Sequence, residues 1–154
     1  MKKIYDDLVK SGALKPVSDP GVDQAQRLLK RAWKDFRTAA FLLMEDEAAA
    51  MDFIYKGIFH AANAFLRLQG YRPGKIGQHA AVIEAMRRAL GKDDQNLILV
   101  YDHLRRKRNE FEYQAVFSMS GAELRDMFES AKRLASVIQK AIETNHPQLR
   151  LNIE

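Results

Sequence analysis

From Val22 to Ile142, apolar residues return every three or four positions with few interruptions, and that period restricts the chain to helices that share a buried face. The first stripe is Val22, Ala25, Leu29, Ala32, Phe36, Ala39 and Leu43, widened by Leu28 and Trp33. Asp19-Pro20 before it reads as a side-chain cap followed by proline at the first helical position. Glu45-Asp46-Glu47 places negative charge at the first turn of a second helix, about Ala48 to Gln69, where it complements the helix dipole. That helix carries the stripe Met51, Ile54, Ile58, Ala61, Phe65 and Leu68. Its small residues Gly57, Ala61, Ala62 and Ala64 allow a neighbouring helix to approach closely.

Gly70-Tyr71-Arg72-Pro73-Gly74 ends the second helix, and Gly77 closes the loop. A third helix is predicted from Gln78 to Leu90 around Val82, Ile83, Met86 and Leu90. The fourth starts at Asp93 or Asp94 and ends near Val116 or Phe117. Ser120 and Glu123 form a capping box for a fifth, in which Leu124, Met127, Ala131, Leu134, Ile138 and Ile142 follow to about Thr144. Residues 1–19 read as an N-terminal arm, with a short helix Asp6 to Lys10 capped at Gly12 and an irregular passage through Lys15-Pro16. From His146-Pro147 onward the chain reads as a tail. No strand alternation, fixed-period repeat or low-complexity segment is present. The expected fold is all-α, an up-and-down antiparallel bundle of four to five main helices in a single domain, with its core at about 20–144.

Composition narrows the functional classes. Hydrophobic residues make up 47% of the chain, enough for an ordinary globular core and unlike the signature of disorder. There is no cysteine, which removes disulfides, thiolate metal sites and thiol nucleophiles and makes the cytoplasm the default location. The first residues lack an apolar secretory core and no run approaches membrane-spanning length, so no membrane is expected. No phosphate-binding glycine loop, H-E-x-x-H pair or serine-hydrolase elbow occurs. His60, His79, His103 and His146 are scattered, none at metal-ligand spacing with another, so no metal and no cofactor is expected.

One segment breaks the apolar rule. In the fourth helix Leu97, Tyr101, Leu104, Phe111 and Ala115 form one stripe, and Arg108 occupies its missing position. An arginine so placed needs an anion, a partner, or a groove open to water. It ends the densest basic run of the chain, Arg105-Arg106-Lys107-Arg108, within a net charge of +5 from 25 basic and 20 acidic residues. Such a run is either a solvated helix face or a polyanion contact. Arg105, Asn109 and Tyr113 fall four residues apart on one face, and Arg108 lies one turn from Glu112. A guanidinium, an amide and a phenol together suit a phosphodiester. The competing arrangement is an ion pair between Arg108 and Glu112 with Tyr113 packed in the core. On the second helix Lys56, His60, Asn63 and Arg67 share a polar face.

With Ile58-Phe59-His60-Ala61-Ala62-Asn63-Ala64-Phe65-Leu66, the glycine end at Gly70-Tyr71, and Arg105-Arg106-Lys107-Arg108-Asn109 leading to Tyr113, the chain resembles HEPN (higher eukaryotes and prokaryotes nucleotide-binding) domains over about Asp23 to Ala141. The resemblance implies a helical bundle that is commonly a homodimer and binds or cleaves RNA, often in toxin–antitoxin or other defence systems beside a minimal nucleotidyltransferase. In catalytically active members an arginine, a polar residue and a histidine a few positions on form a metal-independent ribonuclease site. Arg108 and Asn109 match the first two elements, and Tyr113 stands where the histidine is expected. Tyrosine, with an ordinary pKa of about 10, is a poor base near neutral pH but still donates a hydrogen bond to phosphate. The residues expected to hold RNA or nucleotide phosphate are therefore Arg105, Arg108, Asn109 and Tyr113, with His60 and Arg67 from the second helix. Arg108, Asn109 and Tyr113 are the catalytic set if cleavage occurs. His60 is the best histidine to replace the missing one; His79 reads as a helix-terminus residue. The sequence thus supports an RNA- or nucleotide-binding domain with weak or absent nuclease activity, with an active endoribonuclease toxin and a non-catalytic protein-interaction module as alternatives.

Overall fold

The computed structural model describes residues 3–19 and 21–150; Met1, Lys2, Pro20 and the last four residues lie outside the described residues. Helices α2 (Val22–Leu42), α3 (Glu47–Leu68), α4 (Gln78–Ala89), α5 (Gln95–Gln114) and α6 (Gly121–Asn145) make up the bundle, preceded by a short α1 (Asp6–Lys10). Helix α3 sits in the middle. It packs on α2, α6, α5 and α4, and its buried residues include Met51, Ile54, Ile58, Ala61, Ala62 and Ala64.

The small residues of α3 set the spacing of the bundle. A Cβ at Gly57 would lie 2.6 Å from the Phe36 ring of α2, so the two helices approach to a distance that only glycine permits there. Phe36 in turn touches Trp33 and Phe128, which joins α2 to α6 through one aromatic row. Asp46 caps α3 by accepting from Ala49 N at 3.1 Å, and Ser120 caps α6 by accepting from Glu123 N at 3.0 Å, as the acidic stretch and the serine predict.

Several expectations require correction. The N-cap of α2 is Gly21, in a left-handed conformation and without a side-chain cap. Asp19 instead accepts from Gly21 N, which tightens the turn ahead of the helix; the proline placed at the first helical position, Pro20, lies outside the described residues. The passage through Lys15-Pro16 is a strand, β1 (Leu14–Pro16), paired antiparallel with β2 (Tyr71–Pro73) in a two-stranded sheet. Three residues per strand are too few to show alternation, so the sequence pattern gave no sign of them. The arm is bound to the bundle: Tyr5 and Leu14 are buried, Tyr5 donates to Gln69 at 2.8 Å, and Arg88 of α4 grips Asp7 at 2.6 Å. Residues 147–149 are no tail either, because Leu149 is buried against α6.

Helix α5 stops two to three residues earlier than its stripe suggests. Ala115 closes it at φ 55°, a left-handed conformation that glycine usually supplies. Gly57→Ala sets an overpacking cost of about 1–3 kcal/mol against a helix-propensity gain of about 1 kcal/mol. The thermal midpoint is therefore expected to fall by a few degrees; a rise in a melting scan would show that α2 and α3 separate freely.

Candidate nucleic-acid interface

Arg108 lies where α5 leaves the core. Leu104 and Tyr101 are fully buried one and two turns before it, whereas Phe111 and Ala115 beyond it are exposed. Core residues therefore flank Arg108 on one side only. The stripe ends because α5 runs past the start of α3 and leaves an open groove of about 540 Å³ between them. Asp46, Met51, Asp52 and Lys56 line one wall; Arg108, Phe111 and Glu112 line the other.

The arginine has found an anion inside the protein. Its Nε donates to Asp52 Oδ1 at 2.6 Å, while Lys56 Nζ holds the other carboxylate oxygen at 2.9 Å. Glu112 is only a distant second partner, 3.6 Å from Nη1. The guanidinium carbon lies 5.2 Å from the Tyr55 ring centre, so the cation is also held by an aromatic face. Burial works against ionisation of Asp52, but hydrogen bonds from Lys56 and Arg108 outweigh it and keep the carboxyl below its ordinary range. Burial likewise disfavours the Arg108 cation and is outweighed by Asp52, so the pair stays charged.

The rest of the basic run is tied down as well. Arg105 and Arg106 share Asp102, at 2.9 and 3.0 Å, and Lys107 donates to Ser118 at 2.8 Å, whose hydroxyl donates to Glu110. Asn109 is half-buried and makes no side-chain hydrogen bond among the described residues. Tyr113 is 84% exposed and packs in no core, which removes the structural arrangement expected for it as the alternative to a phosphate contact.

A histidine that sequence spacing had set aside enters this neighbourhood. His79, in the first turn of α4, places Nδ1 2.9 Å from the Tyr55 hydroxyl, and its ring lies 4.6 Å from that of Phe59. Burial and then the charge of Arg108 hold its pKa below the ordinary histidine value, while burial pushes the Tyr55 phenol up to about 12. Only the fold brings α4 beside α3; no local motif could have identified it. His60 and Arg67 occupy the same polar strip of α3 as Lys56 but have different partners. His60 Nδ1 is 2.6 Å from Asp35 Oδ2 of α2. Arg67 lies at the far end against Gly21, where a Cβ would come within 2.7 Å of its Nε. Asn63 turns back to the Phe59 carbonyl.

The strip Asp52–Lys56–His60–Asn63–Arg67 therefore forms the floor of the face, with Arg108 at one end and the Asp35 contact partway along. Among the described residues, no group of three or more His, Asp or Glu side chains gathers as metal ligands, and no helix is long and apolar enough to cross a membrane.

The HEPN domain model matches residues 25–142, most of the chain and all of this face, and the protein belongs to the HEPN domain family. No curated protein matches the chain, and no solved structure does.

Because the folded-state pKa of His79 lies below its unfolded value, the folded chain binds fewer protons than the unfolded chain between the two. Its contribution to stability is complete above about pH 6.5 and is lost as the pH falls from there through the lowered folded-state pKa. Between pH 7.5 and 5.5, urea unfolding of the wild type is expected to lose more stability than that of His79→Gln; equal losses would contradict the lowered pKa.

Proposed function

We propose that this protein is an RNA- or nucleotide-binding HEPN domain whose α3–α5 face takes the phosphate backbone, and that the end of α5 supports binding rather than turnover. The observation that carries the reading is the fixing of Arg108: a guanidinium clamped by Asp52, stacked on Tyr55 and set in the wall of an open groove beside Lys56. A cation already held in place loses little side-chain freedom when it meets a phosphate, and guanidinium geometry matches two phosphate oxygens. Arg105, Arg106 and Lys107 extend the positive face, with their carboxylate and hydroxyl partners fixing direction as much as lowering net charge. Asn109, unpaired among the described residues, and the exposed phenol of Tyr113 add neutral donors. Neither is the imidazole whose ordinary proton affinity suits cleavage near neutral pH.

Phe111, Tyr113 and Val116 stand exposed beside the groove, and this apolar edge supports a homodimer in which a second copy covers it. A nucleotidyltransferase partner and a toxin–antitoxin setting follow from the family resemblance alone.

Binding of a short single-stranded oligoribonucleotide, followed by fluorescence anisotropy, is expected to weaken steeply as salt rises. Arg108→Ala removes one charge-assisted contact. The expected loss is about ten-fold or more in affinity, with the salt slope reduced by about 1. No binding at low salt, with Arg108→Ala changing only the dimer dissociation constant, would favour a protein-interaction module instead.

A further inference from the structure

Helix α2 turns Ala25, Leu29, Ala32, Phe36 and Ala39 into the core and leaves its opposite side uncovered. Between Gln24 and Met44 it carries five basic residues, and its one acid, Asp35, is buried. On the uncovered side Lys30, Lys34, Arg37 and Phe41 follow one another at steps of four, three and four residues, which lines them up along about 16 Å of helix. All four are exposed, Phe41 by 83%. Met44, in the turn that follows, is 85% exposed, and the exposed carboxylates of Glu45 and Asp46 come directly after it.

Two features set this face apart from an ordinary solvated helix. Lys30, Lys34 and Arg37 make no ion pair among the described residues, whereas Arg105, Arg106 and Arg108 of α5 each hold a carboxylate. Phe41 and Met44 expose apolar surface just where the charge changes sign, which is unfavourable until something covers it. No residue of α2 lines the groove beside Arg108, so the face is separate from that site. The order basic, apolar, acidic along one line selects among occupants. A nucleic-acid backbone carries one sign of charge throughout. It is drawn to Lys30 and Lys34, but Glu45 and Asp46 repel it. A second copy laid antiparallel about Phe41 matches Arg37 with Glu45, yet it carries Lys30 past the end of the other α2, which stops at Leu42.

We propose that this side of α2 is the docking surface for a helical segment of a different protein, acidic at one end, apolar in the middle and basic at the other. Carboxylates one turn apart on that segment meet Lys30, Lys34 and Arg37, apolar side chains cover Phe41 and Met44, and a cation meets Glu45 and Asp46. Exposed ion pairs contribute little one by one. Covering the Phe41 ring therefore supplies most of the affinity, and the order of charges supplies direction and choice of partner. The inference goes beyond the RNA-binding reading and does not rest on it.

The probe is a fluorescent synthetic peptide of about 18 residues, with glutamates, leucines and lysines in that order on one helical face. A control peptide has the same composition with the leucine and lysine blocks exchanged. Anisotropy with the full chain is expected to show the ordered peptide binding at least about five-fold more tightly than the control. Phe41→Ala and Lys34→Glu should each weaken it about ten-fold, with circular dichroism showing both variants folded. A peptide whose central glutamate is replaced by lysine should recover most of the loss in Lys34→Glu. RNA affinity should stay within about two-fold of wild type in both variants. Equal affinity for the two peptides, or no binding of either, overturns the proposal. A ten-fold fall in RNA affinity in Lys34→Glu assigns the face to nucleic acid and overturns it, as does a wild-type dimer that sedimentation shows to dissociate in Phe41→Ala, which assigns it to a second copy.

Discussion

Helix α3 has to serve as the middle of the bundle and as the floor of an open face, and the rest of the architecture follows from that double demand. Its apolar side is built from small residues so that α2 can lie almost against its backbone, with Phe36 filling the space above Gly57. Its other side carries Asp52, Lys56, His60, Asn63 and Arg67. Neighbouring helices reach over to these polar groups without covering them: α5 through Arg108, α2 through Asp35. Each such link gives a carboxylate a nitrogen partner at the edge of the core, where leaving the carboxylate alone would be costly.

This arrangement changes what Arg108 means. An arginine in an apolar stripe reads as a group seeking an external anion, yet here it already holds an internal one and still borders a groove. Asp52 fixes its direction, Tyr55 fixes its plane, and Lys56 balances the carboxylate from the other side. The same logic recurs at Asp102, which holds two arginines at once, and at Asp35, which holds Arg31 and His60. Carboxylates on this face serve as anchors for cations and an imidazole. Asp52, Asp102 and Asp35 are each shared between two donors.

The bundle was largely legible in the sequence because helical period, caps and glycine ends are local signals. The boundaries of α3 and α4, the Ser120 cap and the close-packing role of Gly57 all followed from residues within a turn or two of one another. What escaped depends on contacts between distant segments. The strand pair of Leu14–Pro16 with Tyr71–Pro73 is too short to leave a pattern, and the burial of Leu149 depends on a return to α6 after the last helix ends. At the site, the candidates on α5 and α3 were identified by type. Their partners Asp52 and Asp35 were not, because nothing local distinguishes a carboxylate that pairs across helices from one that faces water. His79 was hidden for the same reason: its place beside Tyr55 is a property of how α4 docks.

The central claim is that the polar strip of α3, bounded by Arg108, is the surface that meets a nucleic-acid backbone. Side-chain NMR during titration with a short single-stranded oligoribonucleotide tests it most directly, using the Arg108 Nε–H, Lys56 Nζ and His60 ring resonances. The account predicts that all three move together and saturate at one dissociation constant, while resonances of Arg133 and Lys140 on α6 stay in place. Shifts confined to α6 or to the N-terminal arm, with the α3 strip silent, would contradict it.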